Sequence, residues 1–318
     1  MYPLLLKAPI KDYIWGGTRL KTEFGFETEK EIAAEGWMLS CHKDGTNTVL
    51  NGEFAGKTLT EVLEIWGKEA LGTNAERFTY FPLLIKLIDA KDKLSVQVHP
   101  DDSYALENEG EYGKTEMWYV VDCDEGASLI YGFNREISKE EFASRIKDNT
   151  LGEVCNYVPV KKGDVFFIGA GTLHAIGEGI LIAEVQQNSN TTYRVSDYGR
   201  LGADGKPRPL HIEKAIDVTE RKPATVAYGN VGAVENTDFG SIRTLAECDF
   251  FKVKLINLSG ETEVFEKDSF VSLLVLSGDV VLDYKGEIIK AEKGDSIFVP
   301  ANMKINLSGE GQVLYSRV

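Results

Sequence analysis

The sequence predicts a mainly β chain in which one β unit is used twice. Three observations carry this. Strand-like apolar runs follow one another with glycine, aspartate or asparagine between them at short intervals, the pattern of a sandwich or barrel. The segment VKKGDVFFIGAG, residues 160–171, returns as AEKGDSIFVPAN, residues 291–302. Helical periodicity is confined to a few short stretches.

The elements follow in chain order. The opening MYPLLLKAPIKDYIWGG has three consecutive leucines and then Lys7 and Pro9, too short an apolar core for a secretory signal. TLTEVLEIWGKEALG begins with a capping box, Thr58 and Glu61, in which each residue satisfies the other's free backbone N–H. Leu59, Val62, Leu63, Trp66 and Ala70 keep helical spacing after it, and Gly72 is expected to end the helix. FPLLIKLIDA and KLSVQVHP read as strands, HPDDSYALENEG as one helical turn, and EMWYVVDC and ASLIYGF as strands. SKEEFASRIKDN repeats the capping box with Ser138 and Glu141, GDVFFIGAG and GILIAEVQQ return to strand, and PLHIEKAIDVTE is a third short helix. RKPATVAYGNVGAVENTD reads as a linker, followed by the strands FFKVKLINL and SFVSLLVLSGDVVLDY. Two domains are expected, 1–225 and 226–318.

Within the repeat, Gly163 aligns with Gly294 and Phe167 with Phe298, and the related units span about 115–176 and 270–306. The copies differ in chemistry. Glu116 and His174 of the first correspond to positions near Ser272 and Ile305 of the second, so the second copy is expected to be structural.

Bulk properties exclude several classes. The 318 residues are 43% hydrophobic, enough for a sizeable core. A formal net charge of −15 speaks against nucleic acid, whose phosphates need a basic face. A few local cations can still dominate a pocket, because salt screens surface fields within about 8 Å. No run approaches a membrane span. Cys41, Cys123, Cys155 and Cys248 are scattered, without metal-finger spacing, which suits reduced thiols and a cytoplasmic location.

Strand side chains alternate between faces. In LSVQVHPDD, Ser95, Gln97 and His99 therefore share one face and Val96 and Val98 the other. Lys114 and Glu116 share a face in GKTEMWYVV, as do Glu184 and Gln186 in IAEVQQN. Taken singly, each has a plain explanation: an exposed strand face, a strand-edge charge, a turn residue. Taken together, two imidazoles (His99, His174), one carboxylate (Glu116) and an amide oxygen (Gln97) make a divalent-metal shell. A dication with one carboxylate keeps about one positive charge, which suits an oxyanion. Lys86 lies in an apolar strand, and a buried lysine needs a partner. His42 and His211 read as structural, and Trp15, Trp37 and Trp118 as packing.

LSVQVHPDD, GKTEMWYVV, GTLHAIG and QQNSNTTYRVSD together resemble the signature segments of type I phosphomannose isomerases, nearest the short bacterial form. The resemblance covers nearly the whole chain. It implies a cupin-type jelly-roll barrel followed by a second, degenerate barrel without metal. It implies one zinc ion held by Gln97, His99, Glu116 and His174, with Arg194 as catalytic arginine. Lys86, Lys114 and Ser95 match substrate-pocket residues, and Glu184 a pocket carboxylate. The helical insertion of longer members is reduced here to pieces near 138–150 and 209–220.

The implied reaction interconverts mannose 6-phosphate and fructose 6-phosphate through an enediolate. A metal and a guanidinium suit the oxyanion, lysines and a hydroxyl suit the phosphosugar, and Glu184, Lys114 or a metal-bound hydroxide could be the base. The expected partner is a small phosphosugar, with no nucleic acid or membrane, and the chain a monomer or weak homodimer. Two alternatives use part of the same residues. A non-haem metal oxygenase would need two histidines and a carboxylate, but leaves Gln97, Lys86, Lys114 and Arg194 without a role. A non-catalytic sugar-binding cupin would need no base.

Overall fold

The computed structural model describes residues 1–202 and 205–318. The chain is mainly β, and its strand pairs are antiparallel. Two sheets build the first unit. A six-stranded sheet runs in the order Val165–Ile168, Glu116–Cys123, Ile180–Gln187, Leu83–Ala90, Glu35–Leu39 and Ile10–Lys11. A five-stranded sheet runs Cys155–Pro159, Ser128–Phe133, His174–Ala175, Val96–Val98 and Tyr193–Ser196. A nine-stranded sheet carries the C-terminal unit, and the N-terminal strand Leu4–Lys7 joins it by pairing with Ser296–Val299.

Alternation decides what each face meets. On the five-stranded sheet Val96, Val98, Ala175, Tyr193 and Val195 face outward into one apolar cluster with Phe142, Ile146 and Ala215 of two covering helices. The intervening residues Gln97, His174 and Arg194 are left to the space between the sheets. On the six-stranded sheet Leu83, Ile85, Leu87, Met117, Tyr119, Ala183 and Val185 pack against Phe270, Leu274, Phe298 and Leu314 of the C-terminal unit. Its other face sends Ile88, Trp118, Val120 and Ile182 into the interior of the first unit. The same face sends Lys86, Glu116 and Glu184 inward further along.

The repeat holds at the level of single hydrogen bonds. The Gly163 amide donates to the Val120 carbonyl at 2.8 Å, and the Gly294 amide to Val275 at 2.9 Å. Asp164 accepts from the Lys161 amide and Asp295 from the Glu292 amide, both at 2.9 Å. Both glycines have positive φ, 90° and 100°, which explains why this turn needs glycine. Register sharpens one expectation. Ile168 pairs with Glu116, while Val299, its counterpart, pairs with Val271. Val271, not Ser272, therefore stands where Glu116 does. By the same logic Val264, partner of Ile305, stands where Gln97, partner of His174, does. Val264, Val271 and Ile305 all lie in the apolar interior of the C-terminal unit.

Four further differences are local. The Leu59–Trp66 helix keeps its full capping box but stops at Gly67, at φ 75°, before Ala70 and Gly72. Glycine adopts this left-handed conformation without penalty. At the second box Ser138 caps the amide of Glu141, but Glu141 turns to Arg135 and Arg145 instead of reciprocating. The turn expected after Pro100 is a helix, Asp102–Asn108, capped by Asp101. The stretch read as linker ends in a strand, Val234–Thr237, paired with Gly240–Glu247. Among the described residues no helix is long and apolar enough to cross a membrane.

Candidate active site

The two sheets of the first unit present polar residues to one another. His174 and Gln97 are register partners on one sheet, and Gln97 is also the partner of Arg194. Glu184 is the register partner of Lys86 on the other. Between the sheets, one ligand atom each from His99, Glu116 and His174 lies within 4.8 Å of the others. All three side chains are buried, at 1%, 0% and 0% exposure.

The imidazoles are prepared for a cation. His99 Nδ1 lies 2.9 Å from the Thr191 carbonyl and His174 Nδ1 2.9 Å from the Thr172 carbonyl. A carbonyl only accepts, so each Nδ1 carries the proton and each Nε2 presents a lone pair. These Nε2 atoms face Glu116 at 3.8 and 3.4 Å. Burial, helped by the Lys114 charge, holds His99 well below its ordinary value. Burial pushes His174 down to about 3. Both rings therefore stay neutral, the form that ligates. Burial and the neighbouring Glu184 raise Glu116, against Lys114 and Lys86. Neither Glu116 oxygen has a donor in hydrogen-bond geometry, although the Lys114 ammonium lies 2.7 Å away. Buried carboxylate oxygens without donors, facing two imidazole lone pairs, fit a divalent cation. The Gln97 amide stands 3.3 Å from His174 Nε2. A half-turn of that amide exchanges its nitrogen and oxygen, which lets it join the set.

A cavity of about 280 Å³ opens beside this cluster. Gln97, Ser95, Lys86, Lys114, Glu184 and Arg194 line it. Lys114 sits 3.4 Å from Glu184, and Lys86 sits 3.5 Å from the same carboxylate. Burial disfavours the Lys86 charge, but Glu184 and Glu35 outweigh it and its pKa rises. Burial likewise opposes the Glu184 charge, and Lys114 and Lys86 overcome it, so Glu184 stays ionised. Arg194 donates to Ser95 at 3.3 Å and to the Pro209 carbonyl at 3.0 Å.

Every residue expected at the site reaches this region, and others join it. Glu35, 7% exposed, lies 3.9 Å from Lys86. Arg208 lines the cavity with its guanidinium on Asp197. Tyr13, Trp15, Asn190 and Thr192 also stand in the wall, with the apolar Ile88, Leu94 and Ile176. The charge of Glu35 inside the otherwise apolar run AAEGWML was the available signal. Arg208 sits in a polar loop and gave none. His42 is buried in its turn, accepting from the Asp44 amide. His211 precedes the Ile212–Val218 helix and also accepts the Arg194 amide at 3.2 Å. Trp37 and Trp118 are fully buried, Trp118 edge-on to His174 at 5.3 Å. Trp15 packs and lines the cavity as well.

Comparison with known proteins adds family evidence. Residues 4–122 match the family model described as phosphomannose isomerase type I, catalytic domain. Residues 241–318 match mannose-6-phosphate isomerase, cupin domain. A mannose-6-phosphate isomerase of Streptococcus mutans is 42% identical, covering 95% of this chain and 93% of its own. The mannose-6-phosphate isomerase ManA of Bacillus subtilis is 38% identical, covering 99% of both. The crystal structure of the mannose 6-phosphate isomerase from Bacillus subtilis superposes with a TM-score of 0.92, at 36% identity over 100% of both chains.

Proposed function

Since the chain belongs to the type I phosphomannose isomerases, we propose that its cavity converts mannose 6-phosphate to fructose 6-phosphate and back with the residues described above. The observation that carries this reading is the joining of two features: the His99–Glu116–His174 cluster and a cavity wall of buried, oppositely charged side chains. An oxygenase or a passive sugar-binding protein would need the first and not the second.

We assign His99, Glu116 and His174 as metal ligands, with the Gln97 amide as fourth and zinc, one per chain, as the ion. An ion held there would supply a Lewis acid for the oxyanion that forms during the reaction. The protein's own groups do the rest. In the ring-opened sugar, aldose–ketose exchange removes the proton from C2, leaves an enediolate across C1 and C2, returns a proton to C1, and moves the O2 hydroxyl proton to O1. Glu184 is the base that the geometry favours. It faces the cavity and is held ionised by the Lys114 and Lys86 ammoniums, neither of which meets its Oε1 in hydrogen-bond geometry. Lys86 and Lys114 lower its basicity, which costs driving force, and the same two ammoniums offset the charge that develops on the sugar. Arg194 makes no ion pair among the described residues, so its charge remains available to the enediolate. Ser95, Lys86 and Lys114 hold the phosphosugar's oxygens.

The four cysteines are free, which supports a reducing, cytoplasmic setting. The test is a coupled assay with mannose 6-phosphate before and after exhaustive chelation, with zinc restored at the end. Turnover that vanishes and returns supports the reading. Full activity in metal-free protein would defeat the metal assignment, and no turnover with metal present would defeat the function.

A further inference from the structure

We propose that Glu35 is a positioning residue for the isomerisation and that it acts through Lys86. The proposal rests on the cavity being the phosphosugar site, and goes beyond it in giving a task to a carboxylate that neither ligates the metal cluster nor belongs to the expected substrate residues.

Five ionisable side chains follow one another through the interior. Glu35 Oε2 is 3.9 Å from Lys86 Nζ. Lys86 Nζ is 3.5 Å from Glu184 Oε1, which is 3.4 Å from Lys114 Nζ. Lys114 reaches Glu116 at 2.7 Å. None is more than 7% exposed. Each lysine thus stands between two carboxylates, and Glu35 closes the end furthest from the metal ligands.

Glu35 also holds the surface on which Lys86 rests. Its Oε2 accepts the Trp37 indole N–H at 2.7 Å. Trp37 is the register partner of Lys86, and the ammonium lies 5.5 Å from the indole centroid. Charge and ring together fix a side chain that otherwise has four free rotors.

Without the Glu35 charge, Glu184 would be the only carboxylate paired with Lys86 among the described residues, while also serving Lys114. The Lys86 ammonium would then swing fully onto Glu184. That movement withdraws the ammonium from the sugar's oxygens and ties down the carboxylate that takes the C2 proton. Glu35 prevents it by pulling from the opposite side.

The experiment is a double-mutant cycle of Glu35→Gln and Lys86→Met in the metal-loaded protein. Glutamine keeps the volume of Glu35 and an oxygen for the Trp37 N–H, and removes only the charge. In the native background Glu35→Gln should lower kcat/KM for mannose 6-phosphate by about tenfold or more, as loss of a buried charged partner does. In the Lys86→Met background it should change kcat/KM by no more than about twofold. Where turnover of the Lys86 variants is too slow, the affinity for fructose 6-phosphate by calorimetry provides the same cycle. Metal content and Tm of every variant separate this effect from misfolding. Equal losses in both backgrounds overturn the proposal, because Glu35 then acts independently of Lys86. So does the absence of any loss in a folded, metal-loaded Glu35→Gln protein. If the native chain with metal fails to turn over mannose 6-phosphate, the functional reading itself is overturned, an outcome distinct from turnover with uncoupled Glu35.

Discussion

Arg194 reaches the cavity from the Tyr193–Ser196 strand, with Ser95 as neighbour and Gln97 as register partner. A guanidinium placed for a species formed only during reaction lowers kcat more than it raises KM when lost. Arg194→Ala should cost about 10²–10³ in kcat, the usual cost of losing one such donor. Arg194→Lys should restore only part, since an ammonium lacks the planar fork. Steady-state kinetics with metal content verified decide the matter, and near-native kcat in the alanine variant would make Arg194 a scaffold residue. Behind it, Asp197 is 6% exposed and takes Arg208 and Arg200. Burial pushes the Asp197 carboxyl up, but Arg208 and Arg200 outweigh this and lower it below its ordinary 3.8. A lowered folded pKa means stability that is fully present above 3.8 and is lost as pH falls through the folded value. Asp197→Asn should therefore reduce Tm at neutral pH, and the gap to the native protein should narrow in acid. Melts from neutral pH to about pH 2.5 read this directly, and a gap that stays constant would reject the role of the Asp197 charge. The His99–Glu116–His174 cluster was legible in the sequence as a candidate because Gln97 and His99 stand out opposite Val96 and Val98 in a short strand. Glu35, Arg208 and Asp197 were not, because their meaning depends on which distant residues they meet.

At the scale of elements, alternation carried most of the legible information. Val96 and Val98 face the helices, and Gln97 faces the interior, as the period of two required. Helix starts were equally legible at Thr58 and Ser138. The helix stop was not: Gly67 and Gly72 both have positive φ, 75° and 82°, and composition alone does not say which comes first into use. The repeat was legible in its Lys-Gly-Asp turn, and upstream of it only to within a residue. The hairpins ahead of that turn differ in length, so only the ladder register reveals Val271 as the counterpart of Glu116. One-residue slips exchange faces, and the two serine and valine environments show it. Val271 packs in the interior of the C-terminal unit, whereas Ser272 is 1% exposed with a hydroxyl that has no partner. A buried unpaired hydroxyl costs stability. Ser272→Ala should therefore leave Tm unchanged or raise it, with kcat and metal content untouched. A marked fall in Tm, or a selective fall in turnover, would show that Ser272 has a partner or a catalytic task.

Across the whole molecule, the six-stranded sheet is shared property. One of its faces packs on the C-terminal unit and the other carries Lys86, Glu116 and Glu184 toward the cavity. The chain ends reinforce this, because Leu4–Lys7 pairs within the C-terminal sheet and Asn74 donates to the Val318 carbonyl at 3.0 Å. The proposed ligands divide between the two sheets of the first unit. Glu116 belongs to the six-stranded sheet, whereas Gln97 and His174 belong to the five-stranded one and His99 directly follows its Val96–Val98 strand. A cation that needs all of them therefore binds only when both sheets are in place, and mass action converts that selectivity into stability. At free metal about one hundredfold above Kd the gain is about 2.7 kcal/mol. For a chain of 318 residues each kcal/mol moves Tm by about 1.5 °C, so the expected rise is about 4 °C. Thermal melts of chelated protein, with and without restored zinc, measure it independently of turnover. In Glu116→Gln the zinc-dependent rise should shrink or vanish, because an amide offers the cation a neutral oxygen in place of a carboxylate. A full zinc-dependent rise in that variant would place the stabilising ion elsewhere and remove Glu116 from the ligand set.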